Sequence, residues 1–492
     1  MSTPPSLASG PEGPRALRPL LDTVLRALDE GARARGGPLP SGGPDAVAAR
    51  MRDAVGDVLP DQGDPHALHS LVRALAENAA DPADPLCTAH LHCPPLALAT
   101  AADLAASTLN PSLDSWDQGP GAAELEALVT GALAGEVFGD GGGERRRTAP
   151  VTPAPQAAPP HTTTGTTPTP APTPPRNPPS ALITTGGTES NQLALLLARE
   201  AHGAGVRLVH GANAHHSLPR AAWLLGLPEP VVVPAPAGVL DPACLDEALR
   251  QLPGPHIVAA TAGTTDAGLI DPLPEIAALC AAHGARLHVD AAYGGGLLFS
   301  DRHRAPLTGL DAADTVTLDL HKLGWQPVAA GVLAVRDPGD LAVLHHRADY
   351  LNADDDTEAG LPDLLGRSLR TSRRPDVLKI AVTLGTLGRS GLGRLVEQVC
   401  ERAAEFAALV HDHPGFELYD PPTISTVLFR PAHATDAAVA AVRRRLLTDG
   451  RAVLGRARLD GRLWLKATFL NPHTRPDDLA ALLKLVEGNT PG

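Results

Sequence analysis

ALITTGGTESNQLALLLAREAH, residues 181–202, joins a five-residue run of strand character to helically spaced leucines and alanines through two adjacent glycines. Downstream the pattern repeats. RLVHG (207–211) is followed by a helix near 241–252, and HIVAATAG (256–263) by a helix over 272–283, capped by Asp271 and closed by Gly284. RLHVD (286–290), TVTLDL (315–320) and GVLAV (331–335) complete the series of strands. Such alternation predicts an α/β architecture, a mostly parallel sheet with helices on both faces and ligands at the carboxyl ends of its strands. From Pro375 onward, amphipathic helices with the strands STVLF (425–429) and RLWLKATF (462–469) predict a smaller α+β domain. Before the sheet, residues 15–59 and 66–138 carry helical spacing, broken by prolines at HLHCPP (90–95).

Residues 141–179 hold 12 Pro and 9 Thr, with Val151 their sole branched apolar residue. Too little apolar surface is present to offset the entropy of ordering, so this insert reads as disordered or polyproline-like. It accounts for part of the 50 prolines among 492 residues. The net charge of −14 argues against nucleic-acid or anionic-membrane binding, which calls for clustered Lys and Arg. The N-terminal stretch lacks a signal-peptide pattern, and no apolar run reaches spanning length. A cytoplasmic protein is expected. Five scattered cysteines without a CxxC pair fit reduced thiols rather than disulfides or zinc.

Three constellations carry chemistry. In TTGGTESN (184–191), Gly186 and Gly187 permit close approach of the backbone, and Thr188 opens a helix whose free N–H groups can cradle a phosphate. The same residues also read as a glycine turn capped by Thr188. In HVDAAYGG (288–295), Asp290 ends an apolar strand, where a carboxylate needs a partner; a cationic ring nitrogen, an arginine or a helix start would each serve. In TLDLHKLGWQP (317–327), Lys322 follows a strand beside His321. A lysine in a dry pocket condenses with aldehydes, although a surface lysine is the commoner case. The set of three, in this order and each at a strand's carboxyl end, describes a pyridoxal 5′-phosphate site. Gly187 and Thr188 take the phosphate, Asp290 the pyridine nitrogen and Lys322 the aldehyde.

Among the histidines, ANAHHSLPRAA (212–222) places His215 and His216 in a loop after a strand, where either imidazole could stack on a ring or simply be solvated. His90 and His92 have HxH spacing without a third ligand, so no metal site is expected.

With these motifs assembled, the sequence resembles the group II pyridoxal-phosphate-dependent amino-acid decarboxylases over residues 85–490. The matching stretches include HLHCPP, NPSLDSWDQGPGAAELE, TTGGTESN, AHHS, TAGTTDAGLIDPL, HVDAAYGG, LDLHK, TSRRPDVLK and LNP. The resemblance implies fold type I, like aspartate aminotransferase: a seven-stranded sheet in a large domain over 121–375 that carries the insert, and a small domain over 376–492. It also implies a helical segment over 1–120 wrapping a dimer partner, with the active site at the homodimer interface. By position, it implies Lys322 as the Schiff-base lysine, Asp290 as the ring-nitrogen partner and His215 as the stacked imidazole. Gly187, Thr188 and His321 are implied as phosphate contacts, Thr264 as lying near the cofactor, and Ala292 as packed beneath the ring. Asp319 stands where some relatives carry a neutral phosphate ligand, and its charge would repel phosphate, so it is left out of the contacts.

One departure concerns the loop YLNADDDTEAGLPDLLGRSLRTSRR (350–374). Many members protonate the substrate carbon from a tyrosine inside this loop; here Tyr350 stands only at its start, leaving His215, Tyr350 or a water as donors. The wording YLN and SRRPD is closer to the branches acting on 2,4-diaminobutyrate or lysine than to the aromatic branch. The expected activity is therefore that of a carboxy-lyase on a diamino acid such as 2,4-diaminobutyrate, lysine or ornithine. A fold-type-I aminotransferase or aldolase and a non-catalytic scaffold homologue are the alternatives. Scarce aromatics lean toward an aliphatic substrate, and the acidic stretch Asp354, Asp355, Asp356 and Glu358 reads as a solvated loop more readily than as an ammonium trap.

Overall fold

The computed structural model describes residues 5–139, 178–346, 348, 351–362 and 364–490; Tyr350 and nearly all of the 141–179 insert lie outside them. Five helices come first: α1 (Gly13–Arg35), α2 (Gly43–Val55), α3 (Ala67–Glu77), α4 (Ala97–Leu109) and α5 (Pro120–Phe138). Pro14, Pro44 and Pro120 lie in the first turns of α1, α2 and α5, where a missing N–H costs nothing.

The alternating region follows as β1 (Ser180–Thr184), α6 (Gly187–His202), β2 (Arg207–Gly211), α7 (Ser217–Leu224), β3 (Val231–Val233), α8 (Pro242–Gln251), β4 (His256–Thr261) and α9 (Leu273–His283). It continues with β5 (Arg286–Asp290), β6 (Thr315–Asp319), β7 (Gly331–Val335) and α10 (Asp354–Glu358). The strands form one seven-stranded sheet in the order β1-β7-β6-β5-β4-β2-β3. Pairing is parallel from β3 through β6, whereas β7 runs antiparallel between β6 and β1. This arrangement brings the carboxyl ends of β1, β4, β5 and β6 to one edge. Strands β4, β6 and β7 are buried along their whole length, as in a sheet covered on both faces.

A 36-residue helix, α11 (Val377–Asp412), broken at Gly388 with φ 63°, then runs on to a second sheet. Its first two-thirds feed the core of the large sheet through Val377, Ile380, Val396 and Val399. Its last third supplies Ala403, Phe406 and Val410 to a separate core. That core is built with β8 (Phe416–Leu418), β9 (Thr426–Pro431), α12 (Asp436–Thr448), β10 (Gly455–Leu459), β11 (Arg462–Thr468) and α13 (Pro476–Glu487). The four strands are antiparallel in the order β10-β11-β9-β8.

Residues 87–96 thread between the two sheets. Thr88 N–H donates to Val453 O (2.8 Å), Thr468 N–H to Thr88 O (2.7 Å) and Leu96 N–H to Trp325 O (2.9 Å). The fully buried Trp325 donates its indole N–H to Leu470 O at 2.8 Å, tying the loop after β6 to the end of β11.

One expected cap is corrected. Asp271 does not cap α9, whose first turn begins after Pro272. Its buried carboxylate instead accepts from Thr261 N (2.7 Å), Leu240 N (2.8 Å) and Asn213 Nδ2 (2.7 Å), pinning the end of β4. Burial raises its carboxyl above the usual range.

Candidate active site

At the carboxyl edge of the large sheet lies a cavity of about 340 Å3. Its wall includes Gly187, Thr188, His215, Asp290, Ala292, His321 and Lys322, so seven of the eight expected residues converge from the ends of four strands, β1, β2, β5 and β6. Thr264 is the exception. Its hydroxyl accepts from Leu269 N at 3.1 Å inside a tight turn, and Thr261, Gly263 and Thr265 form the wall instead. The neighbouring histidines also separate: His215 lines the cavity, while His216 is exposed at the start of α7.

Each side chain is held for a local reason. The glycines after β1 let α6 begin directly against the strand ends. A Cβ on Gly187 would lie 3.1 Å from Asp319 Oδ2 and 3.2 Å from Ala292 Cβ. Gly331 of β7 is tighter still, since a Cβ there would meet Gly186 N at 2.5 Å and Thr184 Oγ1 at 2.4 Å. Gly331→Ala is therefore expected to push the cradle out of place, costing about 1–3 kcal/mol of stability and raising the cofactor Kd roughly tenfold. Equilibrium dialysis beside a melting curve checks this, with Gly131→Ala, on the open face of α5, as a control expected to leave the Kd unchanged and to raise stability by about 0.5–1 kcal/mol.

Asp290 is buried at the end of β5. It accepts from Asn191 Nδ2 at 2.8 Å and from Ala292 N at 3.1 Å; no arginine pairs with it among the described residues. Lys322 Nζ lies 3.1 Å from Asp319 Oδ2, and His321 Nε2 lies 3.5 Å from the same oxygen. Asp319, set aside in the sequence because of its charge, is thus the lysine's neighbour. Burial lowers the imidazole pKa of both His215 and His321.

Deeper in the sheet, His288 is fully buried, and burial pushes its pKa down to about 4. The unfolded chain takes up this proton near pH 6.5 and the folded chain only near 4, so this residue contributes a loss of stability as pH falls between those values. The drop in melting temperature over that window is expected to be smaller in His288→Asn than in the parent.

Three buried polar atoms around the cavity have no hydrogen-bond partner among the described residues: Thr261 Oγ1, Asp319 Oδ1 and His321 Nδ1. Unsatisfied buried groups on residues that line one cavity are compatible with a polar ligand there. With a glycine-lined helix start, a carboxylate and a lysine, they suit a phosphorylated aromatic aldehyde. Clusters of His, Cys, Asp or Glu able to hold a metal are absent among the described residues.

The model of the pyridoxal-dependent decarboxylase conserved domain matches residues 177–432, from just before β1 through the end of β9. The chain belongs to the pyridoxal-dependent decarboxylases. Pyridoxal phosphate is the cofactor of this decarboxylase, amino acids are its substrates, and its fold is type I.

Among curated proteins, the L-2,4-diaminobutyrate decarboxylase of Rhizobium meliloti is 39% identical over 85% of this chain and 81% of its own length. The Acinetobacter baumannii protein of the same name is 28% identical over 81% and 78%. In three dimensions, the decarboxylase superposes on the glutamate decarboxylase domain of diaminobutyrate-pyruvate transaminase and L-2,4-diaminobutyrate decarboxylase from Vibrio parahaemolyticus. The TM-score is 0.80 at 28% identity, covering 98% of this chain and 97% of that one. Rice TDC, solved with PLP and tryptamine, shares the fold at a TM-score of 0.82 and 22% identity over 98% and 99%.

Proposed function

We propose that this decarboxylase acts on L-2,4-diaminobutyrate, as a cytoplasmic homodimer, releasing carbon dioxide and propane-1,3-diamine. The observation that carries the substrate reading is the similarity to the Rhizobium protein, 39% identical over 85% of this chain. The cavity supports it: among the described residues its wall carries one phenol, Tyr293, and no indole, and that hydroxyl is engaged with Ser425 (2.8 Å) and Thr426 (3.1 Å). Asp355, Asp356 and Glu358 of α10 are exposed, in keeping with a solvated loop.

Bound pyridoxal phosphate supplies an electron sink for the pair of electrons left when carbon dioxide departs. The protein's part is positioning and charge. Backbone N–H groups of Gly187 and Thr188 at the start of α6, with His321, hold the phosphate. Lys322 holds the aldehyde, with Asp319 steadying its Nζ. Asp290, braced by two donors, would hold a proton on the cofactor's ring nitrogen. Ala292 would pack against its ring, and His215 would lie against it from the cavity wall.

Residues 121–375 are read as the cofactor-binding domain, 376–492 as the small domain and 1–120 as the arm that clasps a second subunit. In keeping with a dimer, the packed helices α1 and α3 expose five leucines, Leu20, Leu25, Leu28, Leu71 and Leu75. Sedimentation equilibrium is expected to show a dimer; an active monomer stable to dilution contradicts it. All five cysteines are unpaired, which supports a reducing compartment. The substrate is tested by ranking kcat/KM over 2,4-diaminobutyrate, ornithine, lysine, glutamate, tyrosine and valine. 2,4-Diaminobutyrate is expected first, and a larger value for any other overturns the assignment.

A further inference from the structure

A run of hydrogen bonds links the ring-nitrogen carboxylate to the cavity imidazole, and the direction of every link can be deduced. The ionised carboxylate of Asp290 only accepts, so Asn191 faces it with its amide nitrogen, 2.8 Å from Oδ2. That choice turns Asn191 Oδ1 toward Thr317 Oγ1 at 2.8 Å and His288 Nε2 at 3.0 Å, and both must donate. Neutral because it is buried, His288 then carries its proton on Nε2, and its Nδ1 accepts from Thr315 Oγ1 at 2.9 Å. The second hydrogen of the Asn191 amide goes to Ser217 Oγ at 2.9 Å. Ser217 is left with its own hydroxyl hydrogen, which it gives to His215 Nδ1 at 2.8 Å. The backbone N–H of Ser217 converges on the same nitrogen at 3.3 Å. With two donors directed at Nδ1, a neutral His215 has its proton on Nε2, the nitrogen free of hydrogen bonds to the described residues, on a ring that lines the cavity.

We propose that Asn191 and Ser217 are positioning residues that fix His215 as a neutral imidazole with its hydrogen on Nε2. His215 then serves the reaction as a hydrogen-bond donor and not as the acid that protonates the α-carbon. A neutral imidazole surrenders its remaining N–H only at very high pH, whereas the acid role requires imidazolium. The surroundings of His215 agree. Burial is the largest influence and favours the neutral ring, as do His216 and Lys322; Asp290 and Asp319 oppose them. The hydrogen delivered to the α-carbon consequently comes from another group.

This inference rests on the placement of His215 in the cofactor cavity, but its test does not depend on the substrate. Holoenzyme labelled with 15N-histidine is examined by NMR at pH 7.5, with His215 assigned by the signals lost in His215→Gln. The expected result is a protonated Nε2 and a bare Nδ1. In Ser217→Ala the ring is expected to become a mixture of tautomers or to gain a higher pKa, with kcat lowered roughly tenfold and KM little changed. Restoration of the parent tautomer in Ser217→Thr would exclude mere structural damage. A proton on Nδ1 in the parent, or an imidazolium, overturns the proposal even if Ser217→Ala does not fold. An unchanged tautomer and pKa in a folded Ser217→Ala protein overturns the positioning role. Failure of the 2,4-diaminobutyrate assignment leaves all of these signals readable.

Discussion

Lys322→Ala is expected to lower kcat by about 10⁴-fold or more, the scale seen when a group that bonds covalently during turnover is removed. Its purified form is also expected to lack the visible absorbance of lysine-bound cofactor. The chain has four lysines, and the other three are placed elsewhere. Lys379 is buried in ion pairs with Asp103 and Asp376, Lys466 donates to Thr265 O at 2.9 Å, and Lys484 lies in the last turn of α13. Borohydride reduction followed by peptide mass spectrometry therefore has a simple readout. The mass of the reduced cofactor should appear on the peptide containing Lys322. Cofactor mass on another lysine, or full steady-state activity in Lys322→Ala, would refute the site.

Asp290→Ala comes second, with kcat expected to fall by roughly 10²–10⁴-fold and cofactor to be lost on dialysis where the parent retains it. The carboxylate is 5% exposed and braced by Asn191 and Ala292, so it presents a fixed negative charge at low cost of reorganisation. Were Asp290 only an end-of-strand cap, the substitution would lower the melting temperature and leave kcat untouched. Kinetics and melting curves on the same preparation separate the two cases. Asp290→Asn adds a further comparison, since it preserves shape and removes charge.

Much of this was legible in the chain because each element of the cavity is local in sequence. A strand, a turn and a side chain at the strand's end suffice to place Gly187, Asp290 and Lys322. What the chain does not display is which strands are neighbours. β7 enters antiparallel between β1 and β6, and only that pairing sets Gly331 against the cradle. Short strands such as Val231–Val233 and Phe416–Leu418 hold too few residues for periodicity to register. Asn191 was in plain view in TTGGTESN, yet its partners are 26 to 126 residues away, and nothing in its own helix announces them. Asp271 differs from its local reading, and Thr264 is not part of the cavity wall, for a related reason. Both have cap-like or motif-like local settings, but long-range donors claim Asp271 and a turn amide claims Thr264. Charge reasoning alone also set aside Asp319, because the proximity of Lys322 became visible only once the turn after β6 had folded.

The most direct test supplies L-2,4-diaminobutyrate labelled with 14C in its carboxyl group to the purified holoenzyme, with no keto acid present. One labelled carbon dioxide should be released for each propane-1,3-diamine formed. Retention of the label, with amino transfer occurring only when a keto acid is added, would contradict decarboxylation of this substrate at the Lys322 site.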